Sequence, residues 1–294
     1  MADGTRTTNA PIGDYHVHSR FSDGRDGLRA NVARAERLGL AEIGLSDHLA
    51  PDFGVGGALD DYVHAVRGAA AARTHPRVLL GLEVDYVPAA VDETLATLSR
   101  HRFDYVLCSV HVVDGFGVSG TSAADERWRD VDRVWRRYYE TLIEAVGLGV
   151  FDVVAHLDLP KKWGLRPVAD LTALEDRVLA AVATAGMAVE INTSGLDLHP
   201  VGEMYPAAGL LRRARLAGIP VTFGSDAHRA ARVGSRFDEA LALARAAGYT
   251  SFLRLSDRSQ VPLPPAPDGS PGGATAAGTW PAEPPAVAPP RPAP

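Results

Sequence analysis

The sequence predicts an α/β fold, a TIM-like (βα)7 barrel, on three observations. Short β-rich runs alternate with longer helical patterns over residues 14–247, which favours parallel strands joined by right-handed crossovers. About seven such units occur with no second domain, a length of chain that often forms one barrel. Ser-Arg-Phe-Ser-Asp-Gly follows the first strand, so the glycine-rich phosphate turn of a doubly wound sheet is missing.

The predicted elements follow one another in regular order. The strands are short and rich in apolar residues, and we place them at 14–18, 42–47, 78–86, 105–112, 151–157, 188–192 and 220–225. Helical patterns occupy 28–38, 60–73, 92–101, 127–145, 171–184, 206–217 and 237–247. Several of these helices end at a glycine, as in RLGL and LAGI, which is typical of a left-handed C-cap.

Composition narrows the class of protein. Hydrophobic residues make up 46% of the chain and charged residues 22%, which is typical of a globular enzyme with a sizeable core. The net charge of -6 argues against nucleic acid as the main partner. Cys108 is the single cysteine, which excludes an internal disulfide and a cysteine zinc cage. Without a long apolar run or a signal-like start, we expect a soluble cytoplasmic protein without a membrane partner.

The two ends of the chain differ in composition from the middle. Residues 262–294 hold 12 of the 21 prolines and much alanine, so we expect a disordered Pro/Ala-rich C-terminal tail. Residues 1–12 are expected to form a flexible N-terminus. The single folded domain is therefore predicted to span residues 13–261.

Six of the ten histidines fall at the ends of predicted strands: His16, His18, His48, His111, His156 and His228. Acidic residues accompany them, with Glu83 on the third strand, Asp226 beside the last histidine and Asp23 in the first loop. Strand ends meet at one mouth of a barrel. So many imidazoles and carboxylates would be poorly satisfied there without a cation. Mixed ligands of this kind suit Zn²⁺, Mn²⁺ or Fe²⁺ better than Ca²⁺ or Mg²⁺ alone.

The spacing of these residues supports a shared metal site. On a strand, His16 and His18 point to the same side, so both imidazoles reach one ion. Asp226-Ala227-His228 repeats this spacing near the last strand. Pairing of the first and last strands would bring the two motifs together. The carboxylate of Glu83 is suited to bridging two ions.

The ordered motifs DYHVHSRFSDG, LSDH, GLEVDY, SVH, VAHLDL, EINTSG and GSDAH resemble the PHP (polymerase and histidinol phosphatase) superfamily. The resemblance extends from about residue 14 to residue 237 and is greatest to the histidinol-phosphate phosphatase branch. It implies a distorted (βα)7 barrel with a trinuclear metal centre, at which we expect two to three zinc, manganese or iron ions to bind.

The resemblance also implies which residues bind each ion. The first ion would take His16, His18, Glu83 and Asp226. The second would share Glu83 and add His111 and His156. The third would take His48 and His228, and Asp23 stands where some members place a carboxylate ligand.

A centre of this kind predicts a metal-dependent phosphoric monoester hydrolase, in which a hydroxide bridging two ions attacks phosphorus. The predicted catalytic residues are Glu83, Asp226 and His228. Asp226 would act as both ligand and proton acceptor, and His228 or a metal-bound water would assist the leaving group. The branch implies L-histidinol phosphate, an ester of histidine biosynthesis, as the substrate.

The contacts to the substrate are less defined by the sequence. Basic residues in two loops are candidates: Lys161, Lys162, Arg166, Arg229 and Arg232. Asp197-Leu198-His199 follows NTSGL, where members of the branch tend to carry a basic residue. This difference keeps one alternative open, a phosphatase or phosphodiesterase acting on another small phosphate ester or nucleotide. A non-catalytic metal-binding scaffold is a further alternative. The oligomeric state is not predicted.

Overall fold

A computed structural model describes residues 12–51, 53–120, 125–198 and 200–266. Seven parallel strands form a nearly closed barrel with helices around it, as the sequence predicts. We label these strands β1 (Gly13–Asp14), β2 (Glu42–Leu45), β3 (Arg77–Asp85), β4 (Tyr105–Ser109), β5 (Val153–Val154), β6 (Ala188–Asn192) and β7 (Val221–Gly224).

Each barrel strand pairs in parallel with the next one along the chain, from β1 to β7. The barrel nearly closes because the last strand returns to the first. The backbone N–H of Tyr15 donates to Phe223 O at 3.0 Å, and Val17 forms a parallel bridge with Ala227. This confirms the predicted pairing of the first and last strands.

Seven helices lie at the predicted places: α1 (Leu28–Leu38), α2 (Leu59–Ala71), α3 (Val91–Leu98), α4 (Val131–Val146), α5 (Thr172–Thr184), α6 (Ala208–Leu216) and α7 (Phe237–Ala246). The helix predicted at 127–145 is divided: a 3₁₀ turn, Glu126–Arg129, precedes α4. Asp130 separates the two because its side chain accepts a hydrogen bond from the Arg133 N–H and caps α4. None of the helices in the described ranges combines the length and hydropathy needed to cross a membrane.

Some strands are shorter than predicted at the mouth of the barrel. Regular pairing of β1 ends at Asp14, and that of β5 ends at Val154. Beyond β5 the backbone adopts a φ of 26° at His156, and beyond β7 it adopts a φ of 53° at Asp226. Positive φ is uncommon for residues other than glycine. The regular sheet therefore gives way to special backbone geometry where the predicted functional side chains lie.

The hydrophobic core has two parts. The larger part lies between the sheet and the helices. A separate cluster, which we call the lower layer, contains Tyr15, Leu79, Tyr105, Leu107, Val153, Ala155, Ala188 and Leu255. Leu79 and Ala188 share strand faces with Glu83 and Glu190 by the two-residue alternation of strands, so the lower layer lies beneath these acidic side chains.

An antiparallel hairpin near the end of the described chain covers the lower layer. Its strands are Ser251–Leu253 and Gln260–Pro262, and the Leu263 N–H donates to Thr250 O at 2.9 Å. Residues 262–266, expected in the tail, are thus part of the described chain. The remainder of the expected tail, 267–294, and residues 1–11 of the expected N-terminus lie outside the described residues.

Candidate metal centre

The nine side chains predicted as metal ligands converge at the C-terminal ends of the strands. We call them the polar cluster: His16, His18, Asp23, His48, Glu83, His111, His156, Asp226 and His228. Strand β3 places Glu83 near the middle of this cluster, with 1% of its surface exposed. Its Oε1 atom lies 2.8 Å from His156 Nε2 and 3.6 Å from His111 Nε2.

The second carboxylate oxygen of Glu83 faces the other side of the cluster. Glu83 Oε2 lies 3.2 Å from His16 Nε2 and 3.5 Å from His18 Nε2. It also lies 3.0 Å from His48 Nδ1. Because its two oxygens face different histidines, Glu83 has the geometry of a bridging carboxylate.

Asp226 and Asp23 complete the side of the cluster near β1 and β7. Asp226 Oδ1 lies 3.3 Å from His18 Nε2 and 3.7 Å from His16 Nε2. Asp23 Oδ2 lies 3.0 Å from His228 Nε2, and its Oδ1 lies 3.7 Å from His48 Nε2. The loop after β1 therefore brings its carboxylate to His228 in the loop after β7 and to His48, which begins a short strand, His48–Ala50, beside β3.

Four overlapping groups in this cluster have the spacing of metal-binding sites. Within each group the ligand atoms lie within 4.8 Å of one another. The groups are His18, Asp23, His48 and His228; His16, His18 and Asp226; His16, Glu83 and His156; and His48, Glu83 and His111. Two ligands about 2.1 Å from a tetrahedral zinc ion lie about 3.4 Å apart. The separations of Glu83 and Asp226 from the histidines are of this size.

Several buried atoms of the cluster lack a hydrogen-bond partner among the described residues. They are His16 Nε2, both ring nitrogens of His18, Glu83 Oε2 and His156 Nδ1. A buried polar atom without a partner destabilises a protein by about 1–3 kcal/mol, so such atoms are rarely grouped. Glu83 Oε2 faces the Nε2 atoms of His16 and His18 at 3.2 Å and 3.5 Å, and a divalent cation placed among these three atoms would satisfy them. The donor set therefore fits metal ions.

The buried carboxylates of the cluster require positive charge to balance them. Burial raises the pKa of Glu83, but His48 and His16 outweigh burial and hold this pKa well below its usual range. Burial likewise opposes the charged form of Asp226, yet His16 and His18 keep its pKa well below the ordinary value. Both carboxylates are therefore ionised, and the positive charge that balances them must come from protonated histidines or from metal ions.

The histidines differ in their ability to carry that charge. Burial lowers the pKa of His16, but the carboxylates of Glu190 and Glu83 raise it well above 6.5. Burial and the neighbouring His48 lower the pKa of His18 to about 3. His18 is thus a neutral imidazole between two carboxylates, and neutral imidazole is the form that binds metal ions.

Residues outside the predicted site orient the cluster. Glu190 on β6 is hydrogen-bonded to the ring of His16, with its Oε1 2.7 Å from Nδ1. Its Oε2 accepts a hydrogen bond from the backbone N–H of His156 at 3.0 Å. The Asn192 amide donates to Glu190 Oε2 at 3.0 Å, and the Ser194 hydroxyl donates to Asp226 Oδ2 at 3.2 Å. Carboxylates that hold ligating histidines in this way fix the ring orientation and strengthen metal binding.

The sequence reasoning missed Glu190, although a signal for it was present. It is a charged residue in the middle of the apolar strand Ala-Val-Glu-Ile-Asn, where burial is rare unless the charge is paired. Gly224 on β7 makes room for it. A Cβ atom at this position would lie 1.8 Å from Glu190 Oε1 and 2.6 Å from His16 Cβ.

Two further carboxylates that were not predicted act on the loops of the site. Asp85 Oδ1 lies 3.2 Å from His111 Nδ1 and accepts the His111 backbone N–H at 2.9 Å. Asp47 accepts hydrogen bonds from the backbone N–H and hydroxyl groups of both Ser19 and Ser22. The latter contacts fix the loop that carries Asp23.

Two cavities adjoin the polar cluster. The metal cavity, of about 340 Å³, is lined by Asp23, His48, Phe53, Glu83, Asp85, His111, His156, Lys162, Asp226 and His228, among others. The side cavity, of about 350 Å³, is lined by Leu159, Lys162, Thr193, Ser194, Asp197, Tyr205, Asp226, His228, Arg229 and Arg232, among others. Lys162, Asp226 and His228 line both, so the two cavities meet at these side chains.

Three of the five predicted substrate contacts lie at these cavities. Lys162 donates from Nζ to Ser119 O at 2.9 Å, and burial lowers its pKa while Asp226 and Asp23 oppose that shift. Arg229 and Arg232 line the side cavity.

The structure does not bring the other two predicted contacts to the cavities. Lys161 is fully buried, and its Nζ lies 2.8 Å from Asp158 Oδ2 and donates to Met204 O at 2.6 Å. Arg166 pairs with Glu203 and lines a larger cavity, of about 650 Å³, beside α4, α5 and α6. A lysine three residues after an aspartate in a 3₁₀ turn can fold back onto it, so its charge does not reach the mouth.

The nearly closed barrel and the His/carboxylate cluster at its mouth define an α/β-barrel protein with a donor set for divalent cations. Comparison of sequences identifies the family: the model of the PHP domain matches residues 14–194. The chain belongs to the PHP family.

Known relatives cover most of the chain. A probable histidinol-phosphatase of Deinococcus radiodurans is 35% identical over 240 residues, 78% of this chain and 90% of that protein. A histidinol-phosphatase of Bacillus subtilis is 28% identical, over 76% of this chain and 96% of that protein. The barrel is similar to a crystal structure from Lactococcus lactis of histidinol phosphate phosphatase with zinc, L-histidinol and phosphate. The TM-score is 0.71 at 23% identity, over 85% of this chain and 99% of that one.

Proposed function

We propose that this protein is a metal-dependent phosphomonoesterase that hydrolyses L-histidinol phosphate to L-histidinol and phosphate. The observation that carries the proposal is the polar cluster, in which Glu83 lies between two sets of histidines and several buried donor atoms lack partners. The 35% identity to the Deinococcus radiodurans protein, over 90% of its length, supports the choice of substrate.

The nine residues of the polar cluster would hold two to three zinc, manganese or iron ions. Glu83 would contribute to two of these sites, with His16, His18 and Asp226 on one side and His111 and His156 on the other. Asp23, His48 and His228 form the third set, in which Asp23 contacts both histidines. When bound, the ions supply Lewis-acid stabilisation of the phosphoryl group and lower the pKa of water.

The side chains of the site position the ester and take part in the proton transfers of the reaction. Asp226 and His228 line both cavities, so an ester bound where the cavities meet contacts both. Asp226, oriented by Ser194 and Asn192, accepts the proton of the attacking water. His228 lies at the exposed edge, with 41% of its side chain accessible, and assists the departing alcohol.

The basic side chains at the cavities would bind the charged ester. Lys162 is placed between the two cavities, and Arg229 and Arg232 lie on the side-cavity wall. Guanidinium and ammonium groups form charge-assisted hydrogen bonds to phosphate. These three residues therefore remain the proposed substrate contacts.

Phosphate release from L-histidinol phosphate tests this function. We expect hydrolysis that a chelator abolishes and that added Mn²⁺ or Zn²⁺ restores. The matched control is Asp257→Asn, which removes a surface ion pair with Arg254 far from the cluster and should behave like the unaltered protein. Metal-loaded protein that releases no phosphate from this ester would contradict the proposal.

One observation favours a second candidate, hydrolysis of another small phosphate ester. The side cavity is lined by Lys162, Arg229 and Arg232 against Asp197, apart from the cluster residue Asp226. This surplus of positive charge suits a substrate with a second anionic group. A panel of phosphate esters decides between the two, and a competing ester with a tenfold higher kcat/KM would replace L-histidinol phosphate.

A further inference from the structure

Asp197 pairs closely with Arg232 across the two loops that form the side cavity; it also lies 3.7 Å from Arg236 Nη1, and Arg236 pairs with Glu239. Asp197 lies in the 3₁₀ turn Ser194–Asp197 after β6, and Arg232 lies in the loop after β7. Their closest atoms, Asp197 Oδ2 and Arg232 Nη1, are 2.8 Å apart. Both side chains line the side cavity together with Asp226 and His228. The pair therefore lies at the wall of the proposed active site.

The backbone around this pair is fixed by other contacts. The Arg232 N–H donates to Arg229 O at 2.8 Å, and the Ser235 N–H donates to Arg232 O at 2.9 Å. The Thr193 hydroxyl crosses between the loops and donates to Ser235 O at 2.8 Å. Since these bonds hold the backbone, the Asp197 carboxylate acts mainly on the direction of the Arg232 side chain.

The position of the pair indicates a role other than stability. Arg232 has 49% of its side chain exposed and Asp197 has 27%, and ion pairs this accessible contribute little to folding. A guanidinium has five N–H donors in a rigid fork that matches a phosphate. One Nη atom contacts Asp197, so the fork keeps donors for an anion in the cavity.

We propose that Asp197 is a positioning residue that holds the Arg232 guanidinium at the side cavity, where Arg232 binds the phosphate of the substrate. This inference deepens the proposed function and rests on its phosphomonoesterase part. Asp197, in the loop after β6, thus keeps the positive charge of Arg232, in the loop after β7, at the site. Holding the guanidinium in the bound orientation spares the ordering cost when phosphate arrives.

The experiment compares Asp197→Asn, Arg232→Gln, Arg232→Lys and the double variant Asp197→Asn/Arg232→Gln. KM and kcat are measured with L-histidinol phosphate and with p-nitrophenyl phosphate, which has no amine, and inorganic phosphate is used as a competitive inhibitor. We expect Asp197→Asn and Arg232→Gln each to raise both KM values and the phosphate inhibition constant about tenfold, the scale of one charge-assisted contact. The kcat values should change little.

Coupling of the two residues distinguishes positioning from independent effects. The double variant should be no worse than Arg232→Gln, because Asp197 acts through Arg232. Arg232→Lys should restore part of the phosphate affinity, since it keeps the charge and loses the fork. Asp257→Asn, at the hairpin beneath the lower layer, removes a comparable exposed pair and should leave all constants unchanged.

Three results would overturn the inference. One is an unchanged phosphate inhibition constant in Asp197→Asn. Another is a raised KM for L-histidinol phosphate alone, which would mean that Asp197 contacts the substrate amine directly. The third is loss of kcat and metal content in Asp197→Asn, which would mark a structural role. Wild-type protein that hydrolyses p-nitrophenyl phosphate but not L-histidinol phosphate would refute the proposed substrate and leave this test intact.

Discussion

The two layers of the barrel interior treat buried polar groups in opposite ways. In the lower layer the Tyr15 hydroxyl donates to Glu42 Oε2 at 2.7 Å, and the Tyr105 hydroxyl donates to Tyr15 O at 2.7 Å. In the polar cluster above it, buried atoms of His16, His18 and Glu83 have no hydrogen-bond partner among the described residues. The polar groups of the lower layer are satisfied within the protein, whereas those of the polar cluster require bound cations.

This difference indicates that the lower layer stabilises the barrel and that the polar cluster serves its function. A buried glutamate belongs to or adjoins each layer: Glu42, which accepts a hydrogen bond from Tyr15 of the lower layer, is 4% exposed, and Glu83 of the polar cluster is 1% exposed. The first is held by one tyrosine and the second is surrounded by five histidines. The same chemical change made in both layers should therefore have different consequences.

The largest difference is expected between Glu83→Gln and Glu42→Gln. Glu83→Gln removes the carboxylate shared by two sets of histidines, so we expect it to lose bound metal. Losing several kcal/mol of metal-dependent transition-state stabilisation should lower kcat by about three orders of magnitude. Glu42→Gln should keep the metal content and kcat. Phosphate release and elemental analysis of the two variants measure this, and equal losses in both would break the distinction between the layers.

A smaller loss is expected when the support of the cluster is changed. Glu190→Gln keeps the size of the side chain but weakens its contacts with the His16 ring and the His156 N–H. Residues in this position typically affect metal affinity or activity about 10–100-fold. Titration of the variant with Mn²⁺ while activity is followed should show a weaker apparent affinity. An unaltered titration curve would show that Glu190 is only a packing group.

In the lower layer we expect the reverse pattern, an effect on stability without one on catalysis. Tyr105→Phe removes the hydrogen bond to Tyr15 O and should lower the free energy of unfolding by about 1–3 kcal/mol. Thermal unfolding together with kcat per folded molecule checks both parts. A large fall in kcat with unchanged stability would contradict this assignment.

The smallest effect is expected when the native protein is treated with a thiol reagent, whose target is Cys108 on β4. This residue is fully buried, and burial raises the pKa of its thiol, so the reactive thiolate is suppressed. A thiol reagent should not label the native protein but should label it stoichiometrically after denaturation. Rapid labelling of the native protein with loss of activity would show that the strand opens far more readily than the structure implies.

The fold could be predicted because the chain alternates strand and helix with clear periodicity. The bounds of α1, Leu28–Leu38, are those predicted. Short hairpins such as Val112–Val113 with Phe116–Gly117 were not predicted, since a strand of two residues has no period. The early end of β5 depends on the special backbone at His156, which no local pattern signals.

The site could be predicted only in part. The positions of His16, His18 and Glu83 follow from strand ends and alternation, which are local. The contact of Glu190 with His16 joins residues 174 positions apart, so only the tertiary structure shows it. Lys161 was a candidate substrate contact because it follows the fifth strand, whereas Asp158 holds it inside. The ion pair of Asp197 with Arg232 likewise joins two separate loops.

Metal titration of the purified chain tests the central claim most directly. The protein is stripped with a chelator, and binding of Zn²⁺ or Mn²⁺ is followed by calorimetry and thermal unfolding, with Glu83→Gln and Glu42→Gln in parallel. The claim that the polar cluster is completed by cations predicts two to three ions bound per chain and a raised Tm, with loss of both in Glu83→Gln alone. Absence of saturable binding in the unaltered protein, or binding that Glu83→Gln leaves unchanged, would contradict it.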